Sequence, residues 1–271
     1  MLIKNNEEIK LIKKSSLLTS KTLGILASKI IPGINLLTLD KIAKEFILDN
    51  GGKPAFLGLY NYPNTICSSV NNEVVHSIPK NLCLKNGDIV SIDCGVLMNN
   101  YYGEHAYTFG VGKINKIKKK LLKVTKKSLY IGIKSCKVGN KIGDIGYNIN
   151  KYILKNNFNV VKDLVGHGIG KNIHEFPNIP NYGKKSTGLS VCNGMVLSIE
   201  PIVNQGTYKI KLCKDGWTYI TKDGSLSAHY EHNIAIINKK PILLSTFNYI
   251  DKILKKNANY STINKKKKKN Y

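Results

Sequence analysis

The sequence predicts an α+β fold built from two similar halves. Two pairs of amphipathic helical segments occur, one near the N-terminus and one in the middle of the chain. Each pair precedes a section whose residues alternate between apolar and polar, as in antiparallel strands with one covered face. This repeated order predicts an internal pseudo-twofold duplication of two helices followed by antiparallel strands.

Four helices are expected. Residues 7–30 carry apolar side chains at helical spacing, and Thr38 is the expected N-cap of a second helix. The second pair comprises a lysine-rich amphipathic segment at residues 117–133 and a segment with an isoleucine stripe. That stripe is formed by Ile142, Ile145, Ile149 and Ile153.

The segment from Ile89 to Val111 predicts a β-hairpin. Two alternating runs flank residues 97–100, which include two asparagines and have the character of a turn. With these four residues as the loop, Asp93 is expected directly opposite Glu104, with Cβ atoms about 5 Å apart. The other face of the hairpin is mostly apolar.

Two facing carboxylates repel each other, and burial strengthens the repulsion. No nearby lysine or arginine is available to separate them, so a metal cation is the favoured partner. The alternative is an exposed hairpin whose acids point into water.

The second half of the chain adds further candidates. Residues 195–203 and 227–237 are expected to form strands, and each contains a glutamate, Glu200 or Glu231, among apolar residues. A buried carboxylate is costly unless it is paired or bound to a metal. His167 lies among glycines that allow other groups to approach its backbone.

Four strand carboxylates would balance the charge of two divalent cations. Oxygen-rich ligation with one imidazole suits Mn²⁺, Fe²⁺ or Co²⁺, and Zn²⁺ stays open as a fourth candidate. Two such ions generate a nucleophile and act as Lewis acid and template, which is the chemistry of amide or ester hydrolysis. The expected metal ligands are Asp93, Glu104, His167, Glu200 and Glu231.

The formal net charge of +25 and pI of about 9.7 would ordinarily suggest a nucleic-acid partner. The chain contains no arginine, however, and arginine is the residue that recognises phosphates and bases bidentately. We therefore expect no specific nucleic-acid binding, while a weak electrostatic contact with an RNA-rich surface such as the ribosome stays open.

Composition also bears on compartment and domain boundaries. The six cysteines form no CxxC pair and are expected to be free thiols in a reducing compartment. No signal-peptide pattern and no apolar run of membrane-spanning length occurs, so a cytoplasmic protein without a membrane partner is expected. Residues 1–250 are expected to form a single catalytic domain, and residues 251–271 a lysine-rich, disordered tail.

Five segments carry a family resemblance that extends to about residue 245: NEVVHSIP, GDIVSIDCGV, GHGIGKNIHEFP, GMVLSIEPIV and KDGWTYITKDGSLSAHYEH. Together they resemble the type I methionine aminopeptidases. The resemblance implies the pita-bread fold, in which a curved antiparallel sheet with flanking helices contains an internal pseudo-twofold duplication. The short interval between Glu200 and Glu231 leaves no room for the insertion that marks type II enzymes.

The resemblance also implies a role for each ligand. Asp93 would bind one metal, while Glu104 and Glu231 would bridge both. His167 and Glu200 would bind the other metal, and Glu200 would also act as the general base.

Further residues would contact the substrate. By the same resemblance, His174 would hydrogen-bond the scissile carbonyl, and His76 would lie beside the amide beyond the cut bond. Tyr62, Cys67 and Trp217 would form the methionine pocket, whose apolar and polarisable walls suit a thioether.

The chain departs from the family pattern at several positions. Glu104 stands where the family usually has Asp, so its carboxylate must fold back or the metal must shift. Phe56, Leu59 and Ile173 replace other pocket residues. His105 is a further ligand candidate, but strand alternation points it to the opposite face.

The expected function is removal of the initiator methionine from nascent polypeptides when the second residue is small, by a monomeric enzyme. One alternative is another exopeptidase of this fold, such as one acting beside proline. A second alternative is a catalytically weak relative that binds ribosomes or nucleic acid through its lysines.

Overall fold

Asparagine side chains start three of the helices. In the computed structural model, which describes residues 3–256, Asn5 accepts the N–H of Glu8, and Glu8 accepts the N–H of Asn5 in return. The second helix is capped by Asn35, not by Thr38 as predicted, because the helix begins three residues earlier than expected. The helices are α1 (Asn6–Lys29), α2 (Leu36–Asp49), α3 (Lys116–Ser135), α4 (Ile142–Lys155) and α5 (residues 248–256).

The strands are short except in one hairpin. A single 3₁₀ turn, Leu59–Asn61, interrupts the first strand-rich section. The first half contributes β1 (Lys53–Pro54), β2 (Ile66–Val70), β3 (Glu73–Val75), β4 (Ile89–Met98) and β5 (Tyr101–Gly110). The second half contributes β6 (Asn159–Val160), β7 (Gly166–Gly168), β8 (Glu175–Ile179), β9 (Val196–Ile199), β10 (Ile202–Asn204), β11 (Ile210–Leu212), β12 (Tyr219–Thr221), β13 (Ser227–His229), β14 (His232–Ile237) and β15 (Lys240–Leu243).

The β4–β5 hairpin has a tighter turn than predicted. Asn99 and Asn100 alone form the loop, with φ values of 53° and 62°, the left-handed pair typical of a type I′ turn. Asp93 therefore pairs with Ala106 and Glu104 with Gly95, so the predicted direct opposition of the two acids is wrong. The register differs by two residues, and an even shift keeps both acids on the same face.

The two predicted long strands of the second half are both interrupted at their acids. Residues 195–203 divide into β9 and β10 at Glu200, where the following Pro201 has no N–H to donate. Residues 227–237 divide into β13 and β14 around Glu231. Since β9 pairs with β14 and β10 with β13, the chain passes between two sheets at both points.

A seam joins the two halves, and we define it as the contact between β5 and residues 229–233. Across it, the Glu231 N–H donates to the Ala106 carbonyl at 3.0 Å, and the Glu104 N–H donates to the Asn233 side-chain oxygen at 2.6 Å. These bonds fix acids from opposite halves of the chain side by side.

The order of elements confirms the predicted α+β class. Two helices followed by strands occur twice, first as α1, α2 and β1–β5, then as α3, α4 and β6–β15. The larger sheets contain β1, β2 and β5 around β4, and β15, β14, β9, β7 and β8 in that order, with antiparallel pairing throughout. Helix α1 packs on the β4–β5 hairpin and α2 contacts β1 and β2, while α3 contacts β13 and α4 contacts β6, so each helix pair lies against strands.

The end of the described chain differs from the predicted boundary. Residues 251–256 continue α5, and Asp251 pairs with Lys126 at 3.2 Å, so this part of the expected tail is helical and attached to the domain. The rest of the tail, residues 257–271, lies outside the described residues. Within residues 3–256, no helix combines the length and apolar character needed to cross a membrane.

The packing of α1 on β5 predicts the effect of one substitution. A Cβ at Gly103 would overlap the backbone of Ser16, which cannot yield without moving the helix. We expect Gly103→Ala to lower the free energy of unfolding by about 2 kcal/mol or more, as in other overpacked cores. Urea unfolding followed by circular dichroism measures this change.

Gly110→Ala, in the same strand, is the matched control. There the added Cβ lies 2.9 Å from the end of the Ile114 side chain, which is flexible. Equal destabilisation by the two substitutions would contradict the packing argument.

Candidate functional site

A cavity of about 410 Å³ gathers all ten residues that the sequence singled out as ligands or substrate contacts. They come from both halves of the chain and from several sheets. The ten residues are Tyr62, Cys67, His76, Asp93, Glu104, His167, His174, Glu200, Glu231 and Trp217.

The carboxylates converge on one imidazole. His167 Nε2 lies 3.5 Å from Glu104 Oε2 and 3.4 Å from Glu200 Oε1. Its Nδ1 lies 2.9 Å from the Gly168 carbonyl, which fixes this nitrogen as the donor and leaves Nε2 free to act as a ligand.

Two overlapping sets of potential metal-ligand atoms share this histidine. In each set the atoms lie within 4.8 Å of one another. One set contains His167, Glu200 and Glu231, and the other contains Glu104, His167 and His174. Asp93 lines the same cavity but belongs to neither set. The extra methylene of Glu104 is accommodated, since its carboxylate reaches His167 from inside the cavity.

Burial and mutual repulsion make three of the acids reluctant to ionise. Burial, followed by the charge of Glu200, raises the pKa of Asp93 to about 7, while the nearby His229 opposes this rise. Burial and the charges of Asp93 and Glu200 raise the pKa of Glu104 well above its usual value. Glu231 behaves in the same way, with Glu104 as its foremost neighbour.

Glu200 is the exception among the four acids. Burial alone would raise its pKa, but the adjacent imidazoles of His229 and His167 outweigh burial and lower it. Glu200 is therefore the carboxylate most readily held as an anion, the state that a general base requires.

The donor set fits divalent cations. Among the residues that the structure describes, Asp93 Oδ1 and Glu104 Oε2 are buried and accept no hydrogen bond. No lysine from this part of the chain lines the cavity. Four carboxylates and an imidazole with two unsatisfied oxygens match the oxygen-rich coordination of Mn²⁺, Fe²⁺ and Co²⁺.

Two more histidines flank the acids. The rings of His174 and His167 meet edge to face with centroids 4.5 Å apart, and partial burial followed by the proximity of His167 lowers the pKa of His174 to about 4. His76 has a left-handed backbone with φ of 57°, which turns it into the cavity, and burial lowers its pKa.

One end of the cavity is apolar. Tyr62 and Trp217 meet edge to face with ring centroids 5.0 Å apart, and the Tyr62 hydroxyl lies 3.0 Å from the Ile66 carbonyl. Cys67 is 5% exposed and belongs to the same cluster, together with Phe56. This end offers a wall of aromatic and sulfur atoms.

His105 lies on the face opposite the cavity, as strand alternation predicted. Its Nδ1 lies 2.6 Å from the Glu231 carbonyl, and its ring stacks against His232 and Phe247 with centroid distances of 4.7 and 4.8 Å. His105 therefore supports the backbone of Glu231 and is not a ligand.

Sequence reasoning missed two neighbours of the acids. His229 lines the cavity, and its Nε2 lies 3.5 Å from Glu200 Oε2. The hydroxyl of Ser198, in β9, donates to Oε1 of Glu231, the residue that precedes β14. Both residues share a strand face with a predicted ligand in the alternating pattern, which is the signal that could have identified them.

Comparisons with known proteins agree with this geometry. Residues 10–238 match metallopeptidase family M24. A methionine aminopeptidase of Clostridium perfringens is 46% identical over 245 residues, which cover 90% of this chain and 98% of that protein. One from Borreliella burgdorferi is 45% identical over 244 residues, which cover 90% of this chain and 97% of that protein.

Solved structures give the same result. The crystal structure of methionine aminopeptidase from Rickettsia prowazekii matches with a TM-score of 0.89 and 37% identity, covering 91% of this chain and all of that one. A prolidase from Pyrococcus horikoshii matches with a TM-score of 0.74 but only 21% identity, which shows a shared fold alone. The chain therefore belongs to metallopeptidase family M24 and, within it, to the methionine aminopeptidases.

Proposed function

We propose that this chain removes the initiator methionine from nascent proteins whose second residue is small, using divalent metal ions. The observation that carries the proposal is the convergence of four carboxylates and His167 in a cavity with an apolar end. The methionine aminopeptidases described above, which this chain matches over about nine-tenths of its length, support it.

We assign two ions to the cavity, each Co²⁺, Mn²⁺, Fe²⁺ or Zn²⁺. Asp93, Glu104, His167, Glu200 and Glu231 would hold them. When bound, the ions lower the pKa of water and polarise a carbonyl. In return they offset the repulsion that raises the pKa values of Asp93, Glu104 and Glu231.

The remaining chemistry belongs to the side chains. Glu200, the acid with the lowered pKa, would take the proton of the attacking water. The lowered pKa of His174 keeps its ring neutral near pH 7, so that it would donate a hydrogen bond to the oxyanion that develops from the scissile carbonyl. His76, inside the same cavity, would orient the amide beyond the cut bond.

The apolar end of the cavity would hold the methionine side chain. Tyr62 and Trp217 provide ring faces and edges, and Cys67 provides a sulfur atom that suits a thioether. Phe56 and Ile173 are packed in the same cluster, so they would narrow the pocket from the side where this chain departs from the family pattern.

The alternatives have less support. A catalytically weak relative would not need a ligand-capable residue at all five metal positions, and all five line the cavity. Likeness to prolidase is limited to the fold. We further propose a location in the cytoplasm, for which the six free cysteines are the support, and a monomer with at most a weak ribosome contact through its many lysines.

The general-base assignment predicts the outcome of one substitution. Glu200→Gln keeps the shape of the side chain but removes the proton acceptor, so we expect kcat for Met-Ala-Ser to fall by at least about 10²-fold with Mn²⁺, Fe²⁺ or Co²⁺ present. Glu45→Gln, on the exposed face of α2, is the matched control and should leave kcat unchanged. A Glu200→Gln protein as active as the parent would contradict the assignment.

The unusual length of Glu104 predicts a second result. Glu104→Asp restores the side chain usual in the family, and we expect turnover of Met-Ala-Ser to be retained or increased. The same shortening at Glu231, a position that fits the family pattern, should lower turnover. A large loss with Glu104→Asp would mean instead that the cavity has adapted to the longer side chain.

The raised pKa of Asp93 predicts how the metal-free protein responds to pH. Its pKa is about 7 in the folded chain against 3.8 ordinarily, so the folded state binds the proton more tightly than the unfolded state. Stability is therefore expected to fall as pH rises from about 4 to about 7, by at most about 1.4 kcal/mol per pH unit from this group.

Chemical denaturation of EDTA-treated protein at several pH values measures this slope. Asp93→Asn should flatten it, and added Mn²⁺ should raise the melting temperature. A metal-free protein that gains stability between pH 4 and pH 7 would contradict the electrostatic description of the cavity.

A further inference from the structure

The Glu200 carboxylate lies between two imidazoles. Its Oε1 lies 3.4 Å from His167 Nε2, and its Oε2 lies 3.5 Å from His229 Nε2. His167 is one of the proposed ligands, whereas His229 is neither a proposed ligand nor a proposed substrate contact. One histidine thus faces each oxygen of the proposed general base.

His229 is buried among acids: Glu200 Oε2 lies 3.5 Å from its Nε2, and Asp93 is close enough to feel its charge. Its side chain is 2% exposed, and among the residues that the structure describes neither Nδ1 nor Nε2 has a hydrogen-bond partner within ordinary geometry. A buried N–H without an acceptor is costly, and the Glu200 oxygen is the carboxylate facing it. A small movement of either side chain would complete a charge-assisted hydrogen bond.

Hydrogen bonds hold the backbone of His229 in place, which fixes the position from which its imidazole extends. The His229 N–H donates to Thr108 Oγ1 at 2.8 Å, and the Thr108 hydroxyl lies 2.8 Å from the His229 carbonyl. Residue 229 also pairs with Ile202 in the β10–β13 ladder. Its ring therefore reaches Glu200 from across the interruption between β9 and β10.

We propose that His229 is a positioning residue for Glu200, whose Oε2 it holds through Nε2–H so that Oε1 is presented beside His167. Partners of this kind orient a metal-ligating carboxylate, and their loss typically weakens metal binding or activity about 10- to 100-fold. The inference rests on the proposed metal centre and adds a residue to it.

Isothermal titration calorimetry of Mn²⁺ binding to the full-length, metal-free protein tests the positioning role of His229 without relying on turnover. His229→Leu and His229→Ala remove the donor without adding bulk, and each is expected to weaken Mn²⁺ binding about 10- to 100-fold. His229→Gln retains an N–H of similar reach and is expected to restore most of the affinity. The visible absorption of bound Co²⁺ should change with Leu and Ala but not with Gln.

A double-mutant cycle shows whether the effect passes through Glu200. In a Glu200→Gln background, His229→Leu should have little further effect on Mn²⁺ affinity, because the carboxylate that it positions is absent. Equal effects of His229→Leu in both backgrounds would overturn the proposal.

Other outcomes also separate the hypotheses. If the His229→Leu and His229→Ala variants bind Mn²⁺ as the parent does and only their KM for peptides changes, His229 lines the substrate pocket and the proposal fails. Loss of folding in both variants would assign it a structural role and would also overturn the proposal. If the parent itself neither binds Mn²⁺ nor cleaves Met-Ala-Ser, the proposed function fails first.

Discussion

Electrostatic repulsion among four carboxylates in a single cavity is the constraint on which this structure depends. In water such charges are screened, but in a cavity of low polarity they interact strongly and each is also deprived of its hydration. Three of the acids respond with raised pKa values, and only Glu200, between two imidazoles, does not. Without a bound cation, the repulsion inside the cavity is therefore relieved by protonation of these three acids.

The fold withstands this repulsion by distributing the acids over elements that cannot move apart independently. Glu104 belongs to the long β4–β5 hairpin, while Glu200 and Glu231 lie where strands of the second half are interrupted. Backbone hydrogen bonds across the seam then tie the hairpin to those interruptions. Because buried backbone groups need their hydrogen-bond partners, these bonds keep the acidic side chains close together even without a cation.

Much of this arrangement could be predicted from local patterns. Strand alternation identified Asp93 and Glu104 on one face and placed His105 on the other, because side-chain direction follows a period of two. The exact register could not be predicted, since it depends on whether two or four residues form the turn, and Asn99 and Asn100 adopt left-handed backbones that allow the shorter loop. Because the predicted register was wrong by two residues, an even number, Asp93 and Glu104 still lie on one face of the hairpin.

What local patterns could not show lies between elements. Both interruptions depend on pairing with two different sheets; Pro201 is a local sign of the one at Glu200, but the residues around Glu231 carry no such sign. Similarly, His229 was visible as a polar-face residue, but its proximity to Glu200 arises only from tertiary packing. The Asn35 cap replaced the expected Thr38 because Leu36, which is fully buried, extends the apolar face of α2 towards the N-terminus.

The seam has a consequence for how the enzyme matures. Glu104 and Asn233 are bonded to each other yet stand 129 positions apart in the chain, and Glu231 is separated from Asp93 by most of the second half. During synthesis, Asp93 and Glu104 therefore leave the ribosome long before Glu200 and Glu231 are made. Contacts between residues so far apart in the chain form slowly, which delays assembly of the site. The candidate site is therefore complete only when translation of the chain is nearly finished.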